Sequence, residues 1–231
     1  MGHHTQSLPV GVVLPDWRPV PYPVHQLIVG QYCVLEPLDV DQHARDLYQA
    51  HAEDAEAVDW TYLPYGPFDN FSDYLACLTG LSRDEHALFF AIIDSSRHQA
   101  VGLACFQRIE PATGVLEVAH VKFSPTLKKS PAATEAMYLM MRHAFATGYR
   151  RYEWKCDSCN QASRQAAQRL GFVFEGIFRQ ATVYKGRNRD TAWYSVLDSE
   201  WPTLEQAFKA WLAPANFDQA GQQHQRLADF R

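Results

Sequence analysis

The chain lacks the segments that place a protein in or across a membrane. Its 231 residues contain no run of about 18 apolar residues, the length that a membrane-spanning helix needs. They also lack the charged start and short apolar region of a secretory signal. We therefore expect a soluble protein with no membrane partner, and a cytoplasmic location follows by default.

The chain has no excess of positive charge. Its formal net charge is −5 and its isoelectric point is near 6.0. A nucleic-acid-binding domain usually has a basic stripe or a high isoelectric point, because it neutralises phosphates. This balance excludes nucleic acid as an expected partner. The content of 47% apolar and 20% charged residues is typical of a globular protein.

Cysteine is too scattered to predict a disulfide framework. There are five cysteines, an odd number spread over a chain of this size. Cys156 and Cys159 form one C-x-x-C pair, but no second pair of ligands accompanies them, as a structural zinc site would require. The sequence therefore predicts no metal site.

What the chain does contain is a series of helix and strand patterns that predicts one α/β domain over residues 30–213. Strands at residues 87–93, 101–109 and 115–123, joined by short turns, predict an antiparallel meander. Asp39 is predicted to cap the first helix and Gly80 to end the second. Residues 1–29 predict a proline-rich extended arm, and residues 214–231 predict a loosely structured tail.

The segment from Phe123 to Thr134 leaves a predicted strand and opens a strongly periodic helix. A helix N-terminus presents unpaired N–H groups and the positive end of the helix dipole to one point, which suits a phosphate diester. Lys128 and Lys129 add positive charge to this loop. The segment therefore predicts a pyrophosphate site.

Glu117 is the candidate general base. Alternation along residues 115–123 places it on one face with Val121 and Phe123, and places His120, a rival base, on the opposite face. Glu117 is then a lone carboxylate among apolar neighbours, and desolvation there raises its pKa toward neutrality. A strand glutamate that faces solvent is the alternative interpretation.

Aromatic residues near the second helix and in a late hairpin are candidates for the walls of an acceptor site. They are Trp60, Tyr62, Tyr65, Phe68 and Tyr184. Aromatic side chains on loops suit a flat or apolar substrate. The alternative is that half of them fill the core.

Several motifs taken in order resemble a known family over roughly residues 30–201. They are Pro125-x-x-Lys128 running into Ala133-Thr134-Glu135, then Asn160-x-x-Ser163, then Leu170-Gly171-Phe172, and the later Arg189-Asp190. In this order, after a helix pair and a strand meander, they resemble the GCN5-related N-acetyltransferases (GNAT), and among these the RimJ/RimL-like group. The resemblance implies a mixed, mostly antiparallel twisted sheet flanked by helices.

The resemblance also implies an activity: transfer of an acetyl group from acetyl-CoA to a primary amine by direct attack, without a metal. The amine belongs to a protein N-terminus or a small molecule. Backbone groups near Val121 and Phe123 would hold the pantetheine arm, Asn160 would reach it from the other side, and Ser163 would protonate the departing thiolate. The pyrophosphate would lie on the loop and first helical turn, at Lys128, Lys129, Ser130, Ala132, Ala133 and Thr134.

Two positions depart from the family pattern. Pro131 stands where the phosphate loop has its central glycine, and Ala167 stands where many relatives have a tyrosine acid. Proline donates no N–H, although its fixed φ suits the first turn of a helix. Two alternatives to an enzyme therefore stay open. One is a weak or inactive domain that binds acyl-CoA or a partner, and the other is a homodimer in which the N-terminal arm acts as a strap.

Overall fold

The described residues form a single sheet with helices on both faces. The computed structural model describes residues 8–219 and 221–231. Its strands are β1 (Ile28–Val29), β2 (Cys33–Pro37), β3 (Ala87–Asp94), β4 (Gln99–Glu110), β5 (Val115–Phe123), β6 (Arg151–Asp157), β7 (Val173–Tyr184) and β8 (Arg187–Leu197). Its helices are α1 (Val40–Ala52), α2 (Phe71–Ser82), α3 (Pro131–Ala146), α4 (Gln161–Arg169) and α5 (Trp201–Trp211).

The sheet has the strand order β1-β2-β3-β4-β5-β6-β8-β7. Neighbouring strands are antiparallel except β5 and β6, which are parallel. That parallel pair joins residues 115–118 to residues 151–154, and the two strands then separate. The predicted mixed, mostly antiparallel sheet is confirmed.

Each face of the sheet has its own apolar core. On one face, α3 and α5 pack over the whole sheet, with buried side chains that include Phe106, Met140 and Phe208. On the other face, α1 and α2 cover mainly β3 and β4, through side chains such as Leu47 and Leu78. On the side that α1 and α2 cover, β6 and β8 therefore lie outside this smaller core.

Polar residues at the helix ends explain where the helices begin. The Asp39 carboxylate accepts hydrogen bonds from the N–H groups of Asp41 and Gln42, which confirms the predicted cap of α1. Helix α2 runs past Gly80 to Ser82, so the predicted end is wrong. Gly80 does not adopt the left-handed conformation that a terminating glycine needs.

The arm and the tail both contact the rest of the domain. Residues 1–7 of the predicted arm lie outside the described residues. In the described part of the arm, Trp17 donates from Nε1 to the carbonyl of Ala112 at 3.1 Å and lies over Gly114. The sequence predicted a loosely structured tail, but the tail is packed. Leu227 is buried, and the Asn216 amide donates to two backbone carbonyls. Within the described residues, no helix is long and apolar enough to cross a membrane.

Candidate active site

The separation of β5 from β6 opens a cleft with a volume of about 190 Å³. Glu117, Val121, Asn160 and Ser163, all predicted as site residues, line this cleft. Beyond Val118, β5 has no partner on the β6 side, so backbone groups on that edge are available to a ligand. Phe123 lies at the end of the same free edge, where it pairs with Gly102 of β4.

A β-bulge interrupts β5 beside the cleft. Strand β4 pairs Cys105 with Ala119 but Leu103 with Lys122, so β5 contains one extra residue between the two pairs. His120 lies in this bulge with a φ of +52°. An extra residue exchanges the faces of all residues that follow it, because the side chains of a strand alternate.

The bulge overturns the predicted faces of β5. The His120 ring stacks on Tyr65 and lines the cleft on the same side as Glu117, so the prediction that it lies opposite is wrong. Val121 and Phe123 instead pack against the core below α3, on the face opposite Glu117. Burial lowers the pKa of His120 from its ordinary value of 6.5, so the ring is neutral at pH 7.

Glu117 is not the lone carboxylate that the sequence predicted. It is 4% exposed, and its Oε1 accepts a hydrogen bond from Gln107 Nε2 at 3.1 Å. Its Oε2 accepts one from Lys155 Nζ at 2.5 Å and lies 3.7 Å from Arg108 Nε. Burial raises the pKa of Glu117 above its ordinary 4.5, against the opposing effects of Lys155 and Gln107.

Strand β6 supplies charged side chains that the sequence analysis did not single out. Charged and apolar residues alternate along this strand. The charged residues on the cleft side are Arg151, Glu153, Lys155 and Asp157. The apolar residues that pack in the core are Tyr152, Trp154 and Cys156. Lys155 Nζ lies 3.5 Å from Glu153 and 4.0 Å from the centre of the Trp193 ring. Strict alternation of charged and apolar residues in the sequence was the signal that could have found them.

The wall opposite β5 is the start of α4. Asn160 caps this helix, with its Oδ1 accepting from the N–H of Ser163 at 3.0 Å. The Ser163 hydroxyl accepts from Trp154 Nε1 at 3.0 Å. Ser163 is therefore held in place at the cleft, beside the free edge of β5, as its predicted role requires.

The N-terminus of α3 fits the predicted pyrophosphate site. Ser130 caps the helix by accepting from the N–H of Ala133 at 3.2 Å, and Pro131 occupies the first turn. Within the part of the chain that is described, the N–H groups of Lys129 and Ala132 have no acceptor. Pro131 thus leaves the anion-binding donors of this helix in place.

Two side chains predicted for this site are already engaged elsewhere. The Lys128 ammonium bonds both carboxylate oxygens of Asp59, which also lines the cleft. The Thr134 side chain is buried and accepts from Arg169 at 3.0 Å, so it is not free to bind a ligand. Lys128 links the phosphate loop to the loop before α2.

The predicted aromatic wall divides between the core and the cleft. Trp60 and Phe68 pack on each other in the smaller core, so their predicted contact with substrate is wrong. Tyr65 is mostly buried there too and reaches the cleft only through His120. Tyr62 lines the cleft directly, and Tyr184 donates to Asp157 at its far end at 2.9 Å.

Two long-range hydrogen bonds involve the segment before α2, which contributes Asp59 and Tyr62 to the cleft. The Tyr62 hydroxyl donates to the carbonyl of Cys159 at 3.2 Å. Lys185, at the tip of the β7–β8 hairpin, donates to the carbonyl of Trp60 at 2.7 Å. Segments far apart in sequence thus meet over the site.

Comparisons with known proteins agree with this architecture. The acetyltransferase (GNAT) domain matches residues 33–173, more than half of the chain. A GCN5-related N-acetyltransferase from Brucella melitensis is 46% identical, with a TM-score of 0.92 over 94% of this chain and 99% of that one. A GNAT-family protein from Chromobacterium violaceum is 39% identical, with a TM-score of 0.78 over 85% and 98%.

A curated relative has a named substrate. The ribosomal-protein-serine acetyltransferase of Escherichia coli (strain K12) is 28% identical over 104 residues, which is 44% of this chain and 58% of that protein. The match therefore spans little more than half the length of that relative. Together, the fold, the cleft and these matches define an acyltransferase of the kind that uses acetyl-CoA. The chain belongs to the GNAT acetyltransferase family.

Proposed function

We propose that this protein transfers the acetyl group of acetyl-CoA to a primary amine, with Glu117 as the general base. The observation that carries the proposal is the place of Glu117. Its carboxylate is buried at the point where β5 and β6 separate, and it lines the cleft that opens there. A carboxylate of raised pKa at such a point suits the removal of a proton from an ammonium group.

The cofactor has a defined place in this proposal. The unpaired N–H groups of Lys129 and Ala132 would hold its pyrophosphate, and the free edge of β5 near Val121 and Phe123 would hold its pantetheine arm. Charge-assisted bonds to backbone N–H groups are strong enough to hold a pyrophosphate without a glycine at position 131. This arrangement directs the thioester to the Glu117 end of the cleft.

The reaction then proceeds by direct attack. Glu117 takes a proton from the acceptor ammonium, and the amine lone pair forms the new bond to the thioester carbon. The attacking nitrogen loses its second proton to solvent as the carbon–sulfur bond breaks, and the thiolate takes a proton from the Ser163 hydroxyl, which regains one from solvent. Backbone N–H groups near the bulge at His120 would stabilise the negative oxygen of the addition step.

Both a protein N-terminus and a small molecule remain acceptors under this proposal. The name of the Escherichia coli relative supports a ribosomal protein as one acceptor class. The chemistry that Glu117 and Ser163 perform is the same for any primary amine.

Substitution of the base tests the proposal. Glu117→Gln should lower kcat by about 10²–10⁴-fold and remove the acid limb of the pH profile, because the amide cannot accept the proton. Glu110→Gln, on an exposed strand glutamate, is the matched control and should leave both unchanged. Activity of wild type should rise with pH through the raised pKa of Glu117. Full turnover by Glu117→Gln would show that another residue is the base. His120→Gln would then be expected to lose the acid limb of the pH profile.

The alternative is a domain that binds acetyl-CoA but transfers nothing. Release of free CoA thiol with a panel of primary amines separates the two functions. Tight binding of acetyl-CoA without thiol release for any amine would establish the alternative.

A further inference from the structure

We infer that Arg189 binds an anionic group of the acceptor, so that the preferred substrate is a small linear amine carrying a carboxylate several bonds from the nitrogen. This inference rests on the proposed acetyl transfer and names its substrate class. Arg189 lies on β8 and lines the same cleft as Glu117. It is the positive group at the end of the cleft opposite the base.

Arg189 has hydrogen-bonding capacity that the described residues do not use. Its Nε is buried without a hydrogen-bond partner, and no ion pair joins its guanidinium to a described carboxylate. Leaving a buried donor unpaired has a free-energy cost, which a ligand that supplies an acceptor removes. By contrast, Arg151 forms paired bonds with Glu175 and a further bond with Glu153.

The nearby carboxylates are already engaged by other groups. Asp157 accepts from the Tyr184 hydroxyl at 2.9 Å and from the N–H of Cys159 at 2.8 Å. Asp190, the next residue along β8, accepts from the N–H of Gln180 at 2.8 Å. The guanidinium lies over the Tyr184 ring, 5.7 Å from its centre, and this packing keeps it at the cleft.

The lysine that lines the cleft has counter-ions, because Lys155 pairs with Glu117 and Glu153. Lys128, in the loop before α3, pairs with Asp59. Among the described lining residues, Arg189 is therefore the cation without one. A planar guanidinium is matched by a carboxylate, which it binds with two parallel hydrogen bonds.

The strand register sets the distance between the two ends of the acceptor. Glu117 lies across from Glu153, which lies across from Ser195 of β8. Arg189 is six residues from Ser195, a backbone separation of about 20 Å along the strand. Two long side chains shorten this gap without closing it, so the amine and the carboxylate cannot be on one carbon.

The size of the cleft limits the acceptor. A volume of about 190 Å³ is below that of an ordinary drug-sized pocket, roughly 300–1,000 Å³. Tyr62, which lines the cleft, is held by its hydrogen bond to the carbonyl of Cys159. A slender chain with a charge at each end fits this space, with its amine at Glu117 and its carboxylate at Arg189.

The test compares ω-amino carboxylates of increasing length with the corresponding ω-amino amides, by CoA thiol release. Wild type should prefer the best carboxylate to its amide by at least about tenfold in kcat/KM. Arg189→Gln should remove this preference by raising KM for the carboxylate, with the amide changed by less than about twofold. Arg187→Gln, an exposed neighbour on the same strand, is the control and should keep the preference. Thermal unfolding checks that both variants fold.

The outcomes distinguish a small-molecule carboxylate from a peptide carboxylate. They also distinguish a failure of the Arg189 assignment from a failure of the proposed acetyl transfer. If short peptides with an acidic residue after the N-terminus replace the ω-amino carboxylates as substrates and depend on Arg189, the assignment of Arg189 stands and the carboxylate is peptidic. No preference for a carboxylate, or a preference that Arg189→Gln keeps, overturns it. If no amine is acetylated, the assignment of Arg189 is tested by titrating the protein with 6-acetamidohexanoate in the presence of CoA and measuring binding. Binding lost in Arg189→Gln supports the inference although acetyl transfer has failed, and absence of binding overturns it.

Discussion

The proposed cofactor site and the acceptor cleft are built in different ways. The proposed cofactor site, called the cradle below, is a continuous stretch, residues 128–134, and its donors are backbone N–H groups at the start of α3. The cleft takes side chains from β4, β5, β6, β8, the start of α4 and the loop before α2. A site made of backbone groups should tolerate changes of side chain. A site made of paired charges depends on each partner.

The same difference decides what could be predicted from sequence. The bounds of β5, the capping of α1 by Asp39 and the helix beginning near Pro131 all follow from local patterns, and the structure confirms them. The GNAT family was predicted from motifs in sequence order. Local chemistry is sufficient for such features.

The cleft could not be predicted as well, because its contacts are long-range. The pairing of Glu117 with Lys155 joins two strands 38 residues apart. The bulge at His120 depends on how β4 and β5 pair, and strict alternation therefore placed the ring on the wrong face. Trp60 was assigned to substrate, although packing with Phe68 places it in the core.

The largest effect should come from breaking the charge pair in the cleft. Lys155→Met leaves the buried Glu117 carboxylate without its main cation and should lower the free energy of unfolding by about 3–5 kcal/mol. It should also raise the pKa of Glu117 further, which moves the acid limb of the activity profile to higher pH. Urea unfolding and a pH–rate profile measure both effects.

Lys209→Met is the control for this prediction. Lys209 forms an exposed pair with Glu205 on α5, so its loss should leave stability nearly unchanged. Adding Glu117→Gln to Lys155→Met should recover much of the stability, since the uncompensated charge is then gone. No recovery in the double variant would contradict the account of the pair.

A smaller loss is expected where α3 is anchored. Glu135 is buried, and its carboxylate accepts from the N–H groups of Gln31, Tyr32 and Cys33 at 2.6–2.8 Å. Glu135→Ala leaves these donors unpaired and should lower the free energy of unfolding by about 2–3 kcal/mol. Urea unfolding measures this loss of stability. Glu85→Ala, at an exposed position, is the control and should be as stable as wild type. Equal stability of the two variants would show that this anchor is dispensable.

The smallest effect should come from a cradle side chain. Lys128→Ala should weaken acetyl-CoA binding by only about fivefold, because backbone donors supply most of the site and Asp59 already neutralises Lys128. Calorimetric titration measures the change, with Lys209→Ala as the control. A loss of a hundredfold or more would show that the cradle depends on its side chains after all.

The most direct test of the division between cradle and cleft is one pair of calorimetric titrations with acetyl-CoA, on wild type and on Glu117→Gln. The account predicts dissociation constants that agree within about twofold, in a variant whose turnover has fallen by about 10²-fold or more. A Glu117→Gln protein that folds but no longer binds acetyl-CoA would contradict it, because Glu117 would then belong to the cofactor site.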